Sequence, residues 1–266
     1  MGTELVQKFS NYLKQVSWPQ TESSTPLGVQ TFEMGLDQAN EFDGQNPKPL
    51  QMALKTFLSG DSLPFALAGT AYVLLAAAVE SDGTYAENGI EEAVSWLSKA
   101  QELEEDLTEI NFIEGLVYVR RGELENAYLV LDYLLEQSPY YYHLYIVAAL
   151  YWEAQGALAE MEAAYQKAAE LADNTPKRLR LFTAMAKAFQ QAGDLDTALQ
   201  YYKKAIHFNK ESGRLWHQVS VIYWKQGELQ ECWRANQKTL KLAPTTGAKK
   251  LHEALKKRIE AEKRQR

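Results

Sequence analysis

The chain has 266 residues, 46% of them hydrophobic, and a formal charge of -7 at neutral pH. That length suits one large domain or two ordinary ones, and the apolar content excludes a globally disordered chain. The acidic balance argues against a general phosphate-binding surface, and the single cysteine, Cys232, excludes an internal disulfide and fits a cytoplasmic setting. The first segments read as helices: TELVQKFSNYLKQV, then GVQTFEMGLDQANEF, then PLQMALKTFLSG. The polar break WPQTESSTP and the turn-rich DGQNPKP separate them. Glu and Lys interrupt the first segment, so it lacks the apolar core of a signal peptide, and Val6 stands where a myristoylation start wants Ser or Thr. Leu63 to Val79 is uncharged for 17 residues, between Asp61 and Glu80. As a helix it spans about 26 Å, short of a hydrocarbon core of roughly 30 Å, so a buried soluble helix is expected and no transmembrane segment.

Further along, four glycines keep a nearly fixed interval. Gly122 and Gly156 are 34 residues apart, Gly193 and Gly227 again 34, and Gly156 to Gly193 is 37. Four residues before each stands an aromatic: Tyr118, Trp152, Phe189 and Tyr223. Seven before sits a small residue (Gly115, Ala149, Ala186, Ser220), and five after come Ala127, Met161, Ala198 and Cys232. These offsets put the residues on one face of a helix before the glycine and one face of a helix after it. The glycine supplies the turn between, where a positive φ costs least. Pro139 and Pro244, each 17 after a glycine, end the second helix. Self-similarity at a fixed period predicts an all-α solenoid of stacked helix pairs.

The pattern closely resembles the tetratricopeptide repeat, with the last copy, Trp216, Tyr223, Gly227 and Pro244, the best match. Met161 and Cys232 replace the family's usual alanine, and Leu131 and Asn236 replace the tyrosine kept as Tyr165 and Tyr202. The resemblance implies a right-handed α-solenoid of antiparallel helix pairs. Four repeats are expected over 108–245. A modified pair with a long inter-helix insertion (ESDGTYAENG) is expected over 61–107, capping hairpins over 1–60 and a basic capping helix over 246–266. From Lys249 onward that last segment carries +5, against about -12 for the rest, with Leu251, Leu255 and Ile259 in a narrow apolar stripe. It suits either a solvated cap on the last repeat or a basic arm for an acidic partner, RNA or a membrane surface.

Markers of chemistry are sparse. The chain lacks a P-loop, GxGxxG, HExxH and CxxC, and its histidines (His143, His207, His217, His252) are scattered. The acidic run from Glu91 to Glu114 reads as a solvated helical face. No enzyme, metal or cofactor is therefore expected. In tetratricopeptide proteins the first helix of each pair lines a concave groove, and the resemblance places Phe112, Leu116, Val119, Ile146 and Leu150 in its apolar middle. Arg180, Lys187, Arg214, His217 and Trp224 fall in its basic end. Some of the apolar positions could instead cover the N-terminal region. Phe112 and Leu116 stand where the family's carboxylate clamp wants polar donors, so the full clamp is absent. The expectation is a non-catalytic adaptor or assembly factor whose groove takes an apolar protein segment with acidic residues. The alternatives are a structural subunit of a larger complex, or a nucleic-acid binder acting through the basic C-terminal helix, which the acidic remainder opposes.

Overall fold

Apolar residues three and four apart, with proline confined to segment ends, fold as helices along the described residues. A computed structural model describes residues 2–80 and 83–265, with side chains to Ala261. The described residues form fourteen helices: α1 (Gly2–Leu13), α2 (Pro26–Ala39), α3 (Lys48–Ser59), α4 (Leu63–Ala77), α5 (Glu87–Leu103), α6 (Thr108–Arg121) and α7 (Leu124–Gln137). There follow α8 (Tyr142–Ala154), α9 (Leu158–Leu171), α10 (Thr175–Gln191), α11 (Leu195–Phe208), α12 (Gly213–Gln226), α13 (Leu229–Leu242) and α14 (Thr246–Gln265). Extended structure among these residues is limited to two isolated bridges, Thr21 with Ser62 and Val79 with Tyr85. The chain divides into two compact units, one ending at Gln155 and the other beginning at Gly156.

The repeat glycines take the conformation that their spacing predicts. Gly122, Gly156, Gly193 and Gly227 have φ of 73°, 73°, 87° and 80°, and no other residue type adopts positive φ among those described. Around three of them the turn closes in the same way. The N–H of the following acid donates to the carbonyl of the aromatic four before the glycine. The bonds are Glu123 to Tyr118 at 2.9 Å, Asp194 to Phe189 at 2.9 Å and Glu228 to Tyr223 at 3.0 Å. This is the Schellman closure, which satisfies a carbonyl left over at the helix end.

In the N-terminal unit, α2 and α3 form a hairpin against α4. Phe32, Phe57 and Phe65 meet there with ring centroids 5.1–5.6 Å apart, and all three are buried. Complete burial of such side chains stabilises by roughly 1.5–3 kcal/mol each. Gly35 and Gly69 admit the Phe57 ring: a Cβ on either would lie 2.2 or 2.3 Å from it. The uncharged run becomes α4, buried on nearly every side by α1, α2, α3, α5 and α6. No helix among the described residues is long and apolar enough to cross a membrane. Rather than pairing as a hairpin with its successor, α1 lays Val6, Phe9 and Leu13 on α4 and α5. Its first turn is held by the Glu80 carboxylate, which accepts from the Gly2 and Thr3 amides at 3.1 and 3.0 Å. Between α4 and α5, where the insertion is expected, the Ala86 amide donates to the Ala78 carbonyl at 2.9 Å. The pairs α6–α7, α6–α8 and α7–α8 complete this unit.

In the C-terminal unit, α9 packs on α10, followed by the pairs α10–α11 and α12–α13, with α14 on α13. Side-chain caps fix several starts. Asn174 accepts from the Lys177 amide at 2.9 Å and Asp194 from the Thr197 amide at 3.0 Å. The apolar stripe of α14 faces inward: Leu255 is fully buried beside Leu229 and Cys232, with Leu251 and Ile259 flanking. The Asn236 side chain donates to the Ala248 carbonyl at 3.0 Å and lies 3.2 Å from His252 Nδ1. These contacts hold α14 against α13.

Candidate functional site

The expected groove residues fare differently in the two units. In the N-terminal unit, Phe112, Leu116 and Val119 are buried, at 1%, 8% and 7% exposure. This corrects the expectation that they line an open apolar groove. Phe112 stacks on His143 with centroids 5.3 Å apart and meets the edge of Tyr141 at 5.8 Å and Tyr72 at 6.0 Å. Above them α2 supplies Glu33. Its carboxylate accepts from the Tyr141 hydroxyl at 3.0 Å and lies 3.2 Å from His143 Nε2. Burial first, and the Glu33 charge next, push the Tyr141 phenol well above its ordinary range. Tyr72 donates to Asn40 at 2.8 Å on the same side. The N-terminal hairpin therefore seals this stretch, and only the half-buried Ile146 and Leu150 keep partial access.

In the C-terminal unit the equivalent faces of α10 and α12 remain accessible. Lys187 and Arg214 are exposed, while Arg180, His217, Val221 and Trp224 are half-buried. The arrangement is cationic. Arg214 also acts on Tyr202, whose phenol burial pushes up to about 12 against that charge. Burial lowers the His217 pKa, and its Nδ1 has no hydrogen-bond partner among the described residues. Gln190 Oε1, also on the first-helix side of this unit, is likewise buried and unpartnered. A buried polar atom left in that state is costly, and few are found in folded proteins. Trp224 is only partly available, because the Arg258 guanidinium of α14 stands 5.1 Å over its ring. Neither Glu33 nor Arg258 was marked by the repeat spacing. Both belong to the capping segments, where no period operates.

Among the described residues, no group of three or more His, Cys, Asp or Glu side chains is placed to hold a metal. Cys232 is buried and unpaired, and burial pushes its thiol up to about 11, against activation.

Helix pairs joined at left-handed glycines, with a side-chain-rich first-helix face, define a helical-repeat protein. The tetratricopeptide repeat family matches residues 179–211. PilW, a widely conserved type IV pilus biogenesis factor, superimposes with a TM-score of 0.57 at 16% identity, covering 86% of this chain and 99% of its own. The Cut9–Hcn1 hetero-tetramer of the APC/C gives 0.55 at 12% identity, over 96% of this chain and 46% of that one. A thermophilic TPR protein of Thermus thermophilus gives 0.45 at 16% identity, over 64% and 91%. At these identities the likeness is one of fold. No curated protein matches the sequence. Residues 179–211 thus carry a tetratricopeptide repeat, and the rest of the chain shares the fold of solved tetratricopeptide-repeat structures.

Proposed function

We propose that the chain is a non-catalytic adaptor or assembly factor that takes a segment of another protein on the first-helix faces of α10 and α12. The observation that carries this reading is that Arg180 and Lys187 on α10, and Arg214, His217 and Val221 on α12, hold first-helix positions of one unit and keep access to solvent. The equivalent stretch of the other unit is filled by its own α2. Tetratricopeptide-repeat proteins are in general interaction modules, and PilW is a biogenesis factor. The partner segment would be acidic at the Arg180–Arg214 end, with an apolar residue against Val221. The cations would speed encounter and orient the segment, while apolar contact would supply most of the affinity. A cytoplasmic setting suits the single buried thiol.

The test is affinity purification from the native source with quantitative mass spectrometry. Wild type is compared with Arg180→Glu plus Arg214→Glu, circular dichroism establishing the fold of each. Loss of partners retained by the wild type is expected. Unchanged capture of every partner by a folded double variant would overturn the assignment.

A further inference from the structure

The outer face of α7 breaks a rule that the other repeats keep. Eleven residues after the turn glycine the other copies place Lys167, Lys204 and Lys238, whereas here stands Tyr133. Seven after it they place Ala163, Gln200 and Arg234, whereas here stands Leu129. Both substitutions face water: Leu129 is 67% exposed and Tyr133 55%. Tyr128, 46% exposed, extends the patch towards Tyr151, its ring 6.1 Å away. Leu124, Glu125, Tyr128, Leu129, Tyr151 and Gln155 line an open depression there of about 370 Å³. The charges are as one-sided as the apolar groups. Glu125, Asp132 and Glu136 are exposed along the same helix, which contains no Lys or Arg.

A solvent-facing position gains nothing for the fold by carrying tyrosine where lysine serves, or leucine where alanine, glutamine or arginine serves, elsewhere in the same architecture. Contiguous exposed apolar groups rimmed by charge of one sign mark an interaction surface. We propose that this face of α7 binds a basic amphipathic helix of a partner protein. Leu129 and the depression beside it would take an aliphatic side chain. Tyr128 and Tyr133 would offer ring faces to Lys or Arg. The acids lie seven and then four residues apart, so they would pair with basic residues repeating at helical spacing. The surface is distinct from the faces of α10 and α12 and takes a partner of opposite charge.

The test uses a labelled peptide of leucine and lysine in amphipathic order as probe, with affinity read by fluorescence anisotropy on the full chain. Leu129→Gln plus Tyr133→Gln, which changes no charge, should weaken binding about tenfold. Glu125→Gln, Asp132→Asn and Glu136→Gln together should weaken it comparably and flatten its salt dependence. Neutralising Glu22, Glu102 and Glu228 removes the same charge elsewhere and should leave affinity within about twofold. If the double variant loses helicity, Leu129→Gln alone carries the comparison. No binding by wild type, equal binding by the glutamine variant, or equal loss in the control overturns the proposal. So does self-association of the probe-free chain that the glutamine variant abolishes, since the occupant is then a second copy.

Discussion

Replacing Gly193 by alanine isolates the conformational demand of the repeat turn. Gly193 lies at φ 87°, and nothing stands within 4 Å of the Cβ that alanine would add. The substitution therefore brings no clash, and its effect comes from placing an L side chain in the left-handed region, about 1–2 kcal/mol. Alanine also restricts the unfolded chain, which offsets about 0.4–1 kcal/mol. The net expectation is a loss of about 1 kcal/mol, roughly a fivefold change in the folding equilibrium. Asparagine, which tolerates the left-handed region, should cost about half as much. Gly69→Ala gives the contrast, since its Cβ would lie 2.3 Å from the Phe57 ring, and overpacking of that kind costs about 1–3 kcal/mol or more. Urea denaturation followed by far-ultraviolet circular dichroism measures all three. A loss above about 3 kcal/mol for Gly193→Ala, or asparagine costing more than alanine, would refute the reasoning.

Leu255→Ala should cost about 2–5 kcal/mol, because the side chain is fully buried beneath α14. Hydrogen exchange should show α14 amides losing protection first. Glu33→Ala leaves the Tyr141 hydroxyl and His143 without their carboxylate and should cost about 1–3 kcal/mol. The Tyr141 phenol should then ionise at lower pH in an ultraviolet titration, since Glu33 contributes to its upward shift. The Cys232 thiol, pushed by burial from 9.0 to about 11, should resist a thiol reagent at mild alkaline pH until urea exposes it. The unfolded thiol ionises first, so this group's contribution is full below 9.0 and lost as pH climbs towards 11. His217 runs the other way. Burial lowers its pKa below 6.5, so the unfolded chain takes the proton first. Stability is full above 6.5 and falls as pH drops below it, which proton NMR and urea midpoints check together.

The architecture was legible because the repeat writes local and global information in the same residues. Gly122, Gly193 and Gly227 mark turns by their conformation, and Tyr118, Phe189 and Tyr223 supply the carbonyls that close them. The inward face of α14 was legible too, in the stripe of Leu251, Leu255 and Ile259. What escaped was the occupancy of the first-helix faces. Whether Phe112 meets solvent depends on Glu33, 108 positions before Tyr141, reaching across from a helix outside the period. Periodicity predicts which residues share a face, and it is silent on what non-repeating segments lay over that face. The outer surface of α7 was readable by comparing Tyr133 with Lys167, Lys204 and Lys238, but the eye follows what recurs and passes over the exception.

The indoles of Trp18 and Trp96 lie nearly parallel, 4.9 Å apart, joining the segment after α1 to α5. Two chromophores so close share their excitation, and their coupled optical activity vanishes when that segment peels away. In the other unit the imidazole of His252 rests 4.5 Å from Trp233, so the emission of that indole should change when α14 undocks. A single denaturation run, watched in both channels without any label, would therefore tell which half of the molecule lets go first.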